Sequence, residues 1–366
     1  MSQRGTIWRN FDWLLLILSV VLTTFGVLMI RSATLGAIDP ELINRVPNQI
    51  RYAILSFMVL FGFAALDYRI LSGLTAWLYG AMVLLLVFVF FFGVEGDGGL
   101  TRGWLNIGIP IQPAEIAKVM IVITLAQFLA RNYERIGDLR ILARAALHIG
   151  VPAGLIFIQP DLGITTVFAV IWLVMMWAAG LKIKHIMIFG MAFVLLLPFV
   201  WTRMERYQQD RLISFVFPQA DPDAYYNILQ ANISIGSGGL AGKGYAQGPQ
   251  NVGRFLRVRH TDFIYSVIAE EFGFVGVTVV MSLLGVVIVR ILRGAQMAAD
   301  AFGSLICYGI AAFIFFQTMV SIGMNLALMP VTGLTMPFIS SGGTSLLSTL
   351  AGIGLAESVI MRGRKV

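Results

Sequence analysis

Runs of roughly twenty apolar residues recur from one end of this chain to the other, and that pattern leaves few folds open. Hydrocarbon offers no partner to a backbone N–H or C=O, so a spanning segment must bond its own backbone as a helix or close into a barrel. The runs are continuous rather than alternating, which selects helices. Charged or Gly/Pro-rich punctuation divides them into spans near 12–31, 46–66, 72–93, 112–130, 143–158, 162–180, 185–201, 263–289, 301–325 and 341–361, about ten in all. The chain is 58% hydrophobic and 12% charged, with mean hydropathy +0.84. Soluble domains are about half apolar and a quarter charged, so a soluble fold is excluded. The expected architecture is an all-α polytopic membrane protein, one integral unit over 1–366, with a long loop at 202–262 between the seventh and eighth spans.

Positive charge orients the spans, because Lys and Arg in short loops stay cytoplasmic. With the N-terminus inside, the cytoplasmic segments hold Arg4, Arg9, Arg69, Arg131, Arg135, Arg140, Arg144, Lys182, Lys184, Arg290, Arg293, Arg362, Arg364 and Lys365. Both termini are then cytoplasmic. The run from Trp13 to Ile30 is too long for a signal-peptide core and reads as a retained anchor. Loop 202–262 falls outside, yet carries Arg203, Arg206, Arg211, Lys243, Arg254, Arg257 and Arg259. Either it is a solvated loop that crossed regardless of charge, or its cations hold a phosphate-bearing ligand at the outer face.

Several polar motifs interrupt the apolar background. Gln112-Pro113-Ala114-Glu115-Ile116-Ala117-Lys118 opens the fourth span and sets Glu115 and Lys118 on one helical face, as a structural ion pair or as part of a substrate cavity. The loop before it, with Gly96, Gly98, Gly99, Gly103, Gly108 and Trp104, reads as ordered and interfacial. Gln159-Pro160-Asp161-Leu162-Gly163 joins two spans, and Asp161 suits a helix cap. Ile235 to Gly244 resembles a phosphate loop only superficially, since Gly244 stands where a Walker A needs Ser or Thr. It fits an anion nest around Lys243 or a flexible tip equally well. Tyr225 to Ile235, after the turn signals Asp221, Pro222 and Asp223, has the spacing of an amphipathic helix that could lie along the interface. Asp262, between Arg259-His260-Thr261 and the next span, is either a helix cap or an acid–base group at the water–lipid boundary. Cys307 is a lone cysteine, and His148, His185 and His260 are too scattered for a metal-ligand pattern.

These motifs in order, with Tyr207-Gln208-x-x-Arg211, Ile235-Gly236-Ser237-Gly238-Gly239 and Pro337-Phe338-Ile339-Ser340-x-Gly342-Gly343, resemble the RodA/FtsW (SEDS) family, most closely its RodA members. The sequence departs from that family at Ser341, where a tyrosine is usual. The resemblance implies a glycosyltransferase that polymerises lipid II into β-1,4 glycan strands on the outer face of the bacterial plasma membrane during elongation, with Asp262 essential. It also implies a class B penicillin-binding protein as partner, with lipid II, nascent glycan and membrane lipids as the other contacts and no nucleic acid. Inversion at the anomeric centre requires a base for the sugar hydroxyl and positive charge on the leaving diphosphate. Asp262 is assigned the first role, with a metal held by Asp262 as the rival assignment and His260 as the other candidate base; Arg211, Lys243, Arg259 and a possible divalent cation, Mg or Mn, share the second. His260 would position substrate, and Glu115, Lys118, Gln159, Asp161 and Ser340 would line the site. A lipid II flippase and a non-enzymatic scaffold for the transpeptidase are the alternatives.

Overall fold

The computed structural model describes residues 8–37, 39–94, 103–106, 108, 110–217, 222–256 and 258–363. Arg4, Arg364, Lys365, Arg257, Asp221 and the loop glycines Gly96, Gly98 and Gly99 lie outside them. The fold is helical, as the apolar periodicity requires. Its principal elements are α1 (Trp13–Thr34), α2 (Arg45–Ala65), α3 (Tyr68–Phe92), α4 (Pro113–Arg131), α5 (Leu139–Ile158), α6 (Leu162–Ala178), α7 (Ile183–Arg203), α8 (Arg206–Val216), α9 (Pro222–Gly238), α10 (Ile264–Met297), α11 (Ala301–Asn325) and α12 (Gly343–Met361). Among the described residues nine helices are long and apolar enough to cross a membrane, and the segment expected as a further span at 162–180 is the shorter apolar helix α6, of 17 residues.

Local chemistry sets many of the boundaries. Asp12, Asp67, Asp138, Asp161 and Asp300 each accept a backbone N–H in the first turn of the helix that follows, which satisfies an otherwise orphaned donor. Pro113 occupies the first turn of α4, where its missing N–H is harmless. Leu105–Asn106 pairs antiparallel with Pro110–Ile111, and Trp104 bridges to Val94, so the described part of the loop before α4 is a short ribbon.

The bundle is built around α12, α4 and α11, the most buried of the long helices. Lipid-phase packing rewards small residues that let backbones approach, and α12 uses Gly354 this way: a Cβ there would stand 2.4 Å from the Leu60 carbonyl of α2. At the periphery, α7 buries almost none of its surface against the rest of the chain.

Two expectations change. Loop 202–262 is substantially helical, containing α8, α9 and the short turn Pro249–Val252. Its apolar spacing reflects packing against α10 rather than a helix lying free along an interface: Ala231, Ser234 and Gly238 of α9 are buried, and Gly238 abuts the carbonyl of Ala269. The second change is that α10 runs 34 residues and is broken at Gly273, with φ 66 and ψ −165. The first segment carries Glu270 and Glu271, both buried under the returning loop, and the second is the apolar part.

Candidate functional site

Asp262 sits immediately before α10, half-buried, and its backbone is held from several directions. Asn325, the last residue of α11, donates from Nδ2 to the Asp262 carbonyl at 2.8 Å, while its Oδ1 accepts from Ser266 N and Oγ. Ser340 Oγ donates to the Thr261 carbonyl at 2.8 Å and accepts from Met336 N, and Ser341 N donates to the His260 carbonyl at 3.0 Å. The Pro337–Gly343 motif therefore fixes the chain entering Asp262. Ser341 makes its contact through the backbone, which requires no particular side chain. The intervening segment, 326–342, tucks Leu334, Met336, Phe338 and Ile339 into the bundle.

Arg211 is the cation that the structure brings toward this aspartate. It lies on α8, half-buried, with its guanidinium 5.1 Å from the centre of the Tyr207 ring. Tyr207 in turn donates to the Pro160 carbonyl at 2.5 Å, which docks α8 onto the 159–161 turn. A methyl placed on Gly333 would be 3.8 Å from Arg211 Nη1. Burial pushes the Asp262 carboxyl above its ordinary pKa, while the Arg211 charge and a hydrogen bond from Thr261 pull it down. Asp161 is pushed up to about 6, first by burial and also by Glu115, with the Ile164 N–H, Arg211 and Lys118 opposing.

Asp161 therefore does more than cap. Its Oδ1 accepts from Ile164 N, as a cap should, and its Oδ2 accepts from Gln112 Nε2 at 2.9 Å, linking the 159–161 turn to the start of α4. Below it Lys118 and Glu115 form a buried ion pair at 2.6 Å; Lys118 also donates to Gln317 at 2.9 Å, and Ser348 Oγ donates to Glu115 at 2.9 Å. Charge buried at this depth persists only when paired and hydrogen-bonded. Gln159 donates to the Leu86 carbonyl of α3 at 2.8 Å and anchors the same turn. Asp262, Arg211, Asp161, Glu115 and Lys118 thus form one electrostatically connected group contributed by four segments far apart in sequence.

Other candidates lie apart from that group. Arg259 is buried, with Nε donating to the Ala33 carbonyl at 2.6 Å and Nη1 to the Leu256 carbonyl at 3.0 Å, so it tethers the loop to α1. His260 is buried beside it. Lys243 is exposed and stands near Glu270, about 12 Å along the helix axis from Asp262 at 1.5 Å per residue. The glycine-rich segment around it is neither an anion nest nor a free tip. The N–H groups of Lys243 and Gly244 donate to the carbonyls of Glu270 and Glu271, and those of Phe274 and Val275 to the carbonyls of Gly239 and Leu240, so the loop plugs the break in α10. Glu270 accepts from Gln250 and Asn251 N–H, and Glu271 accepts from Ser32 and Asn251 side chains.

Gly242 is where this plug is tightest, with φ +81 and room for a Cβ only 2.2 Å from the Glu271 carbonyl. Gly242→Ala is expected to lower stability by about 2–4 kcal/mol, from left-handed strain plus overpacking, readable as a lower thermal midpoint in detergent. An unchanged midpoint would contradict the close packing described.

Asn325, Gln112 and Gln317 are the residues sequence reasoning did not assign. Each is a polar side chain in or beside an apolar helix, which marks it as unusual, but its partner is hundreds or tens of residues away and only the fold reveals it.

The sequence pattern of the FtsW/RodA/SpoVE group, described as cell cycle proteins, matches residues 12–365. The peptidoglycan glycosyltransferase MrdB of Escherichia coli K12 is 34% identical over 98% of this chain and 96% of its own. A chain from a peptidoglycan synthase complex, solved to show how polymerisation and crosslinking are coordinated, superposes with a TM-score of 0.79 at 32% identity, over 96% of this chain and 97% of that one. The rod shape determining protein RodA of Thermus thermophilus gives 0.73 at 30% identity, over 98% and 99%. With agreement over essentially the whole length in both sequence and fold, this multi-pass helical membrane protein belongs to the FtsW/RodA/SpoVE family.

Proposed function

We propose that this protein polymerises lipid II into β-1,4 glycan at the outer face of the bacterial plasma membrane, as the elongation enzyme of its cell, beside a class B penicillin-binding protein. The observation that carries this reading is the approach of a rigidly mounted carboxylate, Asp262, and a half-buried guanidinium, Arg211, from separate elements at one end of the bundle. A single displacement needs little more. The acceptor sugar oxygen forms its bond to the anomeric carbon, the bond from that carbon to the lipid diphosphate breaks, and the hydroxyl proton passes to Asp262. Arg211 takes up the negative charge that develops on the diphosphate, a stabilisation worth most in a site screened from water. Lys243, exposed on the same returning loop, adds positive charge that favours an anionic head group.

The distribution of Lys and Arg in the short loops supports an outer placement of this end, and the full-length likeness to glycosyltransferases and to a synthase-complex chain supports both activity and partner. Among the described residues no cluster of three or more His, Cys, Asp or Glu could hold a metal by itself. One carboxylate with substrate phosphates is, however, a common magnesium arrangement, so Asp262 fits the protein's share of such a site. A divalent ion bound there would neutralise diphosphate charge that Arg211 alone does not balance.

The test is glycan synthesis from lipid II by the purified protein, alone and with its penicillin-binding partner. Polymer is expected, with a rate at least about tenfold lower in EDTA and restored by Mg or Mn. A rate indifferent to chelation would leave Arg211 as the sole electrostatic catalyst; movement of lipid II across vesicles without polymer would replace the proposal with transport.

A further inference from the structure

At the end of the bundle remote from Asp262, the start of α1 meets the last turns of α10 and α12 around a cleft of about 510 Å³. Arg290 lies 17 residues along α10 beyond the break at Gly273, about 26 Å at helical rise and close to the thickness of a bilayer core, and Asp262 lies on the far side of that break. The cleft is therefore on the opposite membrane face from the catalytic group. Its charged lining is Arg9, Arg290, Arg293 and Asp12, three cations against one anion.

That one anion is already occupied. Asp12 Oδ2 takes Arg290 Nε at 2.7 Å and Nη2 at 2.6 Å, and Oδ1 caps α1 by accepting from Leu15 N. Glu357, behind it, accepts from the Asp12 backbone N–H. Asp12 holds Arg290 in place, and Arg9 and Arg293 have no carboxylate partner among the described residues. Beside these cations Trp13 is 62% exposed and Leu14 45% exposed, and Trp8, Phe11 and Trp13 form a ring cluster with centroids 5.6 and 5.1 Å apart. Unpaired guanidinium groups select a phosphate, whereas an exposed tryptophan and leucine on the adjoining apolar helix select an acyl chain at the membrane interface. Together they describe both halves of one ligand.

We propose that this cleft binds the head group of an anionic glycerophospholipid, with its phosphate between Arg9 and Arg293 and its chains along Trp13 and Leu14. The site is separate from the polymerising group and does not depend on it. Each arginine near a membrane surface contributes about fivefold to anionic lipid binding, so removing both should cost about twenty- to thirtyfold.

The protein is purified in detergent, stripped of lipid and titrated with phosphatidylglycerol, phosphatidylcholine or inorganic phosphate, with bound species counted by native mass spectrometry. The wild type should retain phosphatidylglycerol at least tenfold better than phosphatidylcholine. Arg9→Ala/Arg293→Ala should lose that preference, while Arg140→Ala, an exposed arginine elsewhere, should keep it. Arg290 is left intact because its loss would strand Asp12, and thermal melting verifies that each variant is folded. Equal retention of the two lipids by wild type, an unchanged preference in the double variant, or binding of inorganic phosphate as tight as that of phosphatidylglycerol would each overturn the proposal, the last by showing a soluble-anion site.

Discussion

Asp262→Asn is expected to leave the protein folded and to lower glycan polymerisation by about 10²–10⁴-fold, the usual weight of a positioned general base. Asparagine keeps the shape of the side chain, and the contacts that mount this residue, from Asn325, Ser340 and Ser341, reach its own or its neighbours' backbone. What disappears is the negative charge, and with it both proton acceptance and the carboxylate's share in holding a divalent ion. An unshifted aspartate is a weak base for a sugar hydroxyl, and burial moves Asp262 in the useful direction by raising its pKa. The carboxylate form is the active one, so the wild-type rate should fall as pH drops through that raised pKa and be flat above it. Asn should abolish that acid limb as well as the rate. A pH–rate profile of single-turnover polymerisation reads both effects, and an acid limb that survived in Asn would move the base elsewhere.

The second large effect concerns stability. Lys118 is 0% exposed, and its ammonium is satisfied by Glu115 and Gln317 while also standing 5.1 Å from the Phe313 ring. Lys118→Met should destabilise the fold by about 3–5 kcal/mol, because it leaves the Glu115 carboxylate buried without its counter-charge. Lys118→Met/Glu115→Gln removes both charges and should recover much of that loss, since a pair replaced by neutral groups of similar volume is often close to neutral in stability. Thermal unfolding in detergent, with the three variants side by side, gives the comparison. A single variant as stable as wild type would mean that Glu115 finds another partner or takes up a proton; a double variant no better than the single would show that the pair has no coupling.

Much of the architecture was legible because the bilayer imposes a length and a polarity on each helix. The proposed spans 12–31, 46–66 and 112–130 lie within three residues of α1, α2 and α4 at each end, and 301–325 coincides with α11. The long loop was less legible. The spacing of Tyr225 to Ile235 revealed a helix, but a single amphipathic stripe looks the same whether it faces lipid or another helix, and α9 faces α10. Gly273 was unremarkable in an apolar run, and only the returning loop explains why α10 breaks there. In the site, Asp262 and Arg211 stood out as charges at an expected membrane boundary. Their proximity did not, because α8 is docked by the contact of Tyr207 with Pro160, a backbone carbonyl 47 residues away. Arg259 looked like a phosphate ligand by charge alone, and its donors Nε and Nη1 go instead to the carbonyls of Ala33 and Leu256. Charge in a sequence marks a group that must be satisfied, and the fold decides by what.

The most direct test of the whole account is polymerisation of purified lipid II by the wild type and by Asp262→Asn in one assay, at equal protein and with equal thermal midpoints. The account predicts long glycan from the wild type and none above background from the variant, with lipid II still bound by both. Equal polymer from the two would remove Asp262 from the chemistry and with it the mechanism built around its approach to Arg211.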